Sequence, residues 1–329
     1  MAVLMVAMIL LAPLQSDARP PPDAGFAATF SEQCTAPGVF YCEGFETGNF
    51  GRATEPNTGM YGENGTPTGL IRATQDTATS ASGSASIKFA LPPGSGSDTA
   101  GSWRVNMGQL GHQFGENSQF YLQFKQRFSP EMTTITWQPL ASSASWKQII
   151  ISSIKSSCGN VELTIRNLDQ PASPDIGDYP QMYTACGQRN LSTSGHYEQG
   201  DYFCDYNNPT TSTCAYYHPN EWQTFYLEIR IGTWGQANSS VRAWVAYAGG
   251  PLKQWIDQPA YTLNAHATDP SLKYDYLTFG PYITNKSSAQ AHPTAYTWYD
   301  DIIASTQPIP QLGGSANPAP AAPSNLVAQ

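Results

Sequence analysis

Tyr121, Gln123, Lys125 and Arg127 occupy every second position of YLQFKQRF, and alternate residues of an extended strand share one face. That face is a polar ladder with two cations, while Leu122, Phe124, Gln126 and Phe128 form the other. In WKQIIISS, Trp146, Gln148 and Ile150 alternate with Lys147, Ile149 and Ile151; in FYLEIRIG, Tyr226, Glu228 and Arg230 oppose Phe225, Leu227, Ile229 and Ile231. Antiparallel sheets commonly wet one side, so one such face alone is ordinary solvated surface. Several together suggest a glycan platform, on which aromatic rings stack against sugar rings and long polar side chains bond hydroxyls or carboxylates.

A second group is acidic. Asp300 and Asp301 sit side by side within TWYDDIIAS, where a strand disfavours aspartate, and Glu43 and Glu46 lie in FYCEGFETG near the start. The five histidines fall in expected loops; His292, in SSAQAHPTAY, stands between the strand ending at Tyr282 and the one holding the aspartates. Other chemistries lack their signatures: there is no G-x-S-x-G, H-E-x-x-H, P-loop or G-x-G-x-x-G motif. A retaining glycosidase needs two carboxyl groups about 5 Å apart, and VELTIR and YLEIRIG each offer one.

The elements that must position these side chains are strands. Runs such as GVFYCEGFE, SASIKFAL, SWRVNM, FYLQFKQRF, WKQIIISSI, VELTIRN, WQTFYLEIRIG, SVRAWVAYA, YDYLTFGPYITN and TWYDDIIAS recur between turn-formers. No stretch sustains a helical apolar stripe over twelve residues or so. The pattern predicts an all-β sandwich or jelly roll. Two segments break the rhythm, residues 50–80 and 167–220, and are expected to be long loops.

Composition narrows the setting. Charged residues make up 12% of the 329, against about a quarter in an average soluble domain. A net charge of -9 without any long basic run argues against nucleic acid as a partner; a local basic groove still allows an anionic carbohydrate. Residues 1–18 read as a secretory signal, apolar from Ala2 to Leu14 and then Ser16-Asp17-Ala18 as a cleavage site. No other segment is expected to engage a membrane. Residues 19–38 read as an N-terminal linker, 39–310 as the β-domain, and 311–329 as a Pro/Ala-rich linker or the start of a further module. Six cysteines, Cys34, Cys42, Cys158, Cys186, Cys204 and Cys214, fit an exported, disulfide-bonded chain. Sequence proximity favours Cys34–Cys42, Cys158–Cys186 and Cys204–Cys214 as the pairs.

YLTFGPYITNK followed by TWYDDIIAS, together with the opening FYCEGFETGNFG and the central WKQIIIS, resembles the concanavalin A-like jelly-roll polysaccharide lyases, the architecture of alginate, glucuronan and heparin-type lyases. It is also similar to uncharacterised secreted bacterial proteins of that architecture. The resemblance implies a concanavalin A-like β-jelly-roll sandwich with long disulfide-pinned loops, acting as a monomer on a uronic-acid polysaccharide by β-elimination. A non-catalytic glycan-binding domain is the alternative and a glycoside hydrolase the third. By the resemblance, Gln148 with Lys147 or Arg127 neutralises the uronate carboxylate and Tyr282 makes the proton transfers; His292, from its loop position alone, is a further catalytic candidate. Lys125, Tyr121, Trp146, Lys286 and Arg230 would line the substrate groove. Thr278 and Ile150 stand where the lyase strands carry Lys and His. Jelly-roll carbohydrate proteins often join first and last strands through a structural Ca²⁺, for which Glu43, Glu46, Asp300 and Asp301 are the oxygens available.

Overall fold

A computed structural model describes residues 28–48, 52–53, 59–61, 73–97, 100–138, 144–153, 161–169, 180–184, 189–190, 215–266 and 268–311. The expected signal peptide, most of the C-terminal linker, and Cys158, Cys186, Cys204 and Cys214 lie outside them.

Period-two patterning builds almost everything. The strands are β1 (Val39–Glu43), β2 (Arg52–Ala53), β3 (Gly59–Tyr61), β4 (Thr74–Asp76), β5 (Ser86–Leu91), β6 (Ser102–Asn106), β7 (Ser118–Phe128) and β8 (Ala144–Ser152). They continue as β9 (Glu162–Asp169), β10 (Gln181–Thr184), β11 (Arg189–Asn190), β12 (Gln223–Ile231), β13 (Ser239–Tyr247), β14 (Lys253–Tyr261), β15 (Tyr276–Thr284) and β16 (Ala295–Ser305). Two one-turn helices, α1 (Phe30–Cys34) and α2 (Pro130–Thr134), complete the described elements. Short strands β2, β3, β4, β10 and β11 fall within the two segments expected to be loops, where too few residues alternate to announce a strand.

The strands form a two-sheet, almost wholly antiparallel jelly-roll sandwich. The front sheet runs β11-β10-β9-β8-β15-β6-β3-β2 and the back sheet β14-β13-β12-β7-β16-β5-β4. Along one side of β16, β5 pairs with its first half and β1 with its last four residues, so the opening strand seals the closing one.

Both sheets turn large apolar side chains inward. Phe124 of β7 and Tyr299 of β16 meet Phe279 of β15 across the layers, with ring centroids 5.5 Å apart in each pair and edge-to-face geometry. Each fully buried side chain of this size contributes about 1.5–3 kcal/mol by leaving water. The inward set of β7, namely Phe120, Leu122, Phe124 and Phe128, is fully buried, as the alternation requires.

Residues 29–38, expected to be linker, belong to the domain. Thr29 caps α1 in a reciprocal pair with Glu32, and a disulfide joins Cys34 to Cys42 of β1 with a Cα–Cα distance of 5.6 Å. Buried Gln33 exchanges amide hydrogen bonds with Gln123 of β7 and donates to the Pro310 carbonyl. Phe30 and Val39 thus pack over Tyr121, Tyr226, Ile303 and Ile309 on the outer face of the back sheet.

Candidate functional site

The outer face of the front sheet gathers cationic, phenolic and acidic side chains from neighbouring strands. Lys147 of β8 pairs with Tyr282 of β15 on one side and Arg166 of β9 on the other, and Arg166 pairs in turn with Gln181 of β10. One row of side chains therefore runs Gln181, Arg166, Lys147, Tyr282. The next row contains Tyr183, Thr164, Ile150, Thr278 and Arg104, and the one after it Glu162, Ser152, Tyr276 and Asn106.

Within this face two cations sit on two phenol rings. Lys147 Nζ lies 4.9 Å from the Tyr282 ring centroid, and Arg166 Cζ lies 4.5 Å from that of Tyr183. Thr164 Oγ1 donates to the Glu162 carboxylate at 3.0 Å. Burial lowers the pKa of Lys147; Glu162 pulls it back up and Arg166 pushes it further down. Burial and the Glu162 charge raise the Tyr183 phenol, against the pull of Arg166 and a hydrogen bond to Thr164, so Tyr183 keeps its proton at neutral pH. Arg104 is lowered by burial and partly restored by Tyr276.

A bulge makes this geometry possible. Trp146, Ile149 and Ile151 all lie in the core, whereas Lys147 and Ile150 are half-buried on the other side. Strict alternation would group Lys147 with Ile149 and Ile151. The register shifts between Lys147 and Ile149, leaving Gln148 as an extra residue, and one extra residue inverts every side chain beyond it. Gln148 is fully buried, and neither polar atom of its amide has a hydrogen-bond partner among the described residues.

The expected site residues therefore separate. Lys147 and Tyr282 come together. Trp146 is fully buried in the core and cannot stack on a sugar. Tyr121, Lys125, Arg127 and Arg230 lie on strands of the other sheet, on its outer face, with the whole sandwich between them and Lys147. There Tyr121 is covered, Lys125 Nζ pairs with Asp301 at 2.7 Å, Arg127 rests 5.9 Å from the Trp298 ring, and Arg230 is exposed. Lys286 is buried, with Nζ donating to the Ser95 carbonyl at 2.5 Å. His292 stands edge-on to Trp137 at 5.0 Å, with Nδ1 2.6 Å from the Pro293 carbonyl. Arg166 was legible as the outward partner of Glu162 and Thr164 in VELTIRN; Tyr183 lay in a segment without strand signal.

Of the carboxylates expected to hold Ca²⁺, Asp300, Asp301 and Glu46 are committed to the loop between β4 and β5, and Glu43 to the turn after β1. Asp300 accepts from the Ala81 and Ser82 N–H groups at 2.8 and 3.4 Å, and Asp301 from Ser82 Oγ at 2.5 Å. Glu46 accepts from the Ser84 N–H and Oγ at 2.9 and 2.6 Å, and Glu43 from the Phe45 N–H at 2.6 Å. Among the described residues no three His, Cys, Asp or Glu side chains are grouped to hold a metal. Calcium wants six to eight oxygens around one point, and this donor set does not fit it. A second bulge places the aspartates: Asp301 takes the left-handed conformation at φ 48°, and the register slips between Asp300 and Ile303.

No family model and no curated protein matches the chain. Among solved structures it is similar to a PL-14 alginate lyase from Aplysia kurodai, at 11% identity and TM-score 0.45, covering 70% of this chain and 86% of that one. It is similar also to an endo-β-1,4-glucuronan lyase from the fungus Trichoderma reesei, at 14% identity and TM-score 0.45, covering 81% and 95%. A third is the binding domain of botulinum neurotoxin serotype C1, at 12% identity and TM-score 0.39, covering 70% and 42%.

Proposed function

We propose that the chain is a secreted lyase-like protein that cleaves a uronic-acid-containing polysaccharide by β-elimination on the outer face of the front sheet. The observation that carries this reading is the Lys147–Tyr282 contact beside Arg166. In such a reaction a cation offsets the uronate carboxylate, a base removes the C5 proton, the C4–O bond breaks as a C4=C5 double bond forms, and the leaving oxygen takes a proton. Arg166 and Lys147 supply the positive charge. Tyr282 makes the proton transfers; a phenol ordinarily titrates near pH 10, and adjacent cations favour its charged form. Export is supported by the apolar N-terminal stretch and by the Cys34–Cys42 disulfide.

A second reading, a non-catalytic glycan-binding domain, is favoured by Tyr183, whose raised phenol suits a hydrogen-bond donor better than a base. A glycoside hydrolase is disfavoured because Glu162 and Glu228 lie on different sheets and cannot act as a pair. The deciding experiment incubates the protein with a panel of polyuronates and follows the absorbance of the unsaturated product. Product from at least one supports the lyase; binding without product supports the second reading.

A further inference from the structure

One residue of β16 reaches through the middle of the core to the front sheet. Tyr299 belongs to the back sheet and is fully buried among Phe89, Phe124 and Phe279. A phenylalanine would fill almost the same volume. What the hydroxyl adds is a crossing hydrogen bond: Tyr299 Oη donates to the Gln148 carbonyl at 2.7 Å, and the Gly280 backbone bonds the same phenol. Gln148 is the extra residue of the β8 bulge, and Gly280 lies where β15 slips against β8, between the pairs Phe279–Ile149 and Tyr282–Lys147.

We infer that Tyr299 is a positioning residue: its hydroxyl fixes the bulge at Gln148 that turns Lys147 out of the core and onto Tyr282. The proposal rests on reading the front face as the reaction site. Its logic is one of parity. Trp146 and Ile149 both face the core although three positions apart, which an uninterrupted strand cannot do. Removing the bulge would send Lys147 inward beside Ile149 and Ile151. A bulge leaves ladder groups unpaired, and a buried carbonyl without a partner is costly; the Tyr299 hydroxyl satisfies that of Gln148. The opposite side of the slip is equally constrained. Gly280 has φ 151°, and a Cβ there would stand 2.8 Å from the Gly101 carbonyl oxygen.

The test compares wild type with Tyr299→Phe in two assays. In the first, on a polyuronate that wild type cleaves, Tyr299→Phe should lower kcat at least about tenfold while changing KM less than about threefold, the signature of a misplaced reacting group rather than lost binding. The second needs no activity: reductively ¹³C-methylated protein is titrated by NMR, with the Lys147 signal assigned by Lys147→Arg. In wild type burial holds this titration below the ordinary lysine range, and in Tyr299→Phe it should move toward that range. Wild-type kcat, or an unmoved Lys147 titration, in folded Tyr299→Phe overturns the inference. If wild type cleaves no polyuronate, the proposed function fails and the titration alone decides the positioning role. Should Tyr299→Phe not fold, Gln148→Ala decides: the bond uses the backbone carbonyl, so Lys147 should titrate as in wild type, and a shift there overturns the inference.

Discussion

Lys147 of β8 and Tyr282 of β15 are cross-strand partners on the outer face of the front sheet, with the ammonium 4.9 Å from the ring centroid. Neither stretch of sequence predicts the other, since 135 positions of chain, counted as 282 minus 147, separate them. The contact gives a phenol a neighbouring cation, and the proposed proton transfers depend on it.

Tyr282→Phe should lower the rate of unsaturated-product formation on the order of 100-fold or more, the usual contribution of a positioned acid or base. Lys147→Ala should cost a similar factor through lost charge stabilisation. Both variants should keep the wild-type melting temperature to within a few degrees, because neither side chain is part of the core. Retention of most of the activity by Tyr282→Phe would remove the phenol from the mechanism.

The two faces of the sandwich make a sharper comparison. Arg166→Ala removes a cation beside Lys147 and should weaken glycan binding or turnover about tenfold or more, as loss of a charged hydrogen-bonding group does. Arg127→Ala alters the back sheet, against Trp298, and should leave turnover within about twofold of wild type. Equal losses in the two would place substrate on the wrong sheet.

Asp300 gives the fold a pH dependence of calculable sign. Burial, then the charge of Asp301, push its pKa up to about 7, against hydrogen bonds from Ala81, Asp301 and Ser82 that favour the anion. The native state thus binds this proton more tightly than the unfolded chain, where aspartate titrates near 3.9. The associated stability is fully present below about pH 4 and is lost as pH rises through about 7. Melting temperature should therefore fall across that window in wild type and fall less steeply in Asp300→Asn. Parallel curves for the two proteins would exclude Asp300 as the source.

Chelation should leave the melting temperature unchanged. Ser82, Ser84, the Ala81 and Asp301 N–H groups and the Lys125 ammonium already occupy the oxygens of Asp300, Asp301 and Glu46. An ion bound only by the native state would raise stability in proportion to its saturation. A melting temperature that rises with added calcium and drops in chelator would mean that these carboxylates regroup around a metal.

Much of the architecture follows from sequence alone, because hydrophobic alternation is local. SIKFAL, FYLQFKQRF and FYLEIRIG each announce a strand and its buried face, and the β7 ladder of Tyr121, Gln123, Lys125 and Arg127 indeed points away from the core. The Cys34–Cys42 disulfide was legible from the proximity of the two cysteines. What only the tertiary structure decided is which sheet each polar face belongs to, and where alternation breaks. A strand's own residues do not encode its neighbours, so Lys125 and Arg127 looked as suitable a pair of cations as Lys147, although a whole sandwich separates them. Bulges are equally silent, since one unpaired residue is defined by the partner strand opposite. Gln148 exchanged the faces of Lys147 and Trp146, and Asp301 let Asp300 share the outer face with Trp298 while Ile302 returned to the core. The two aspartates that interrupt TWYDDIIAS are the price of that second slip, held by the loop that Glu46 holds as well.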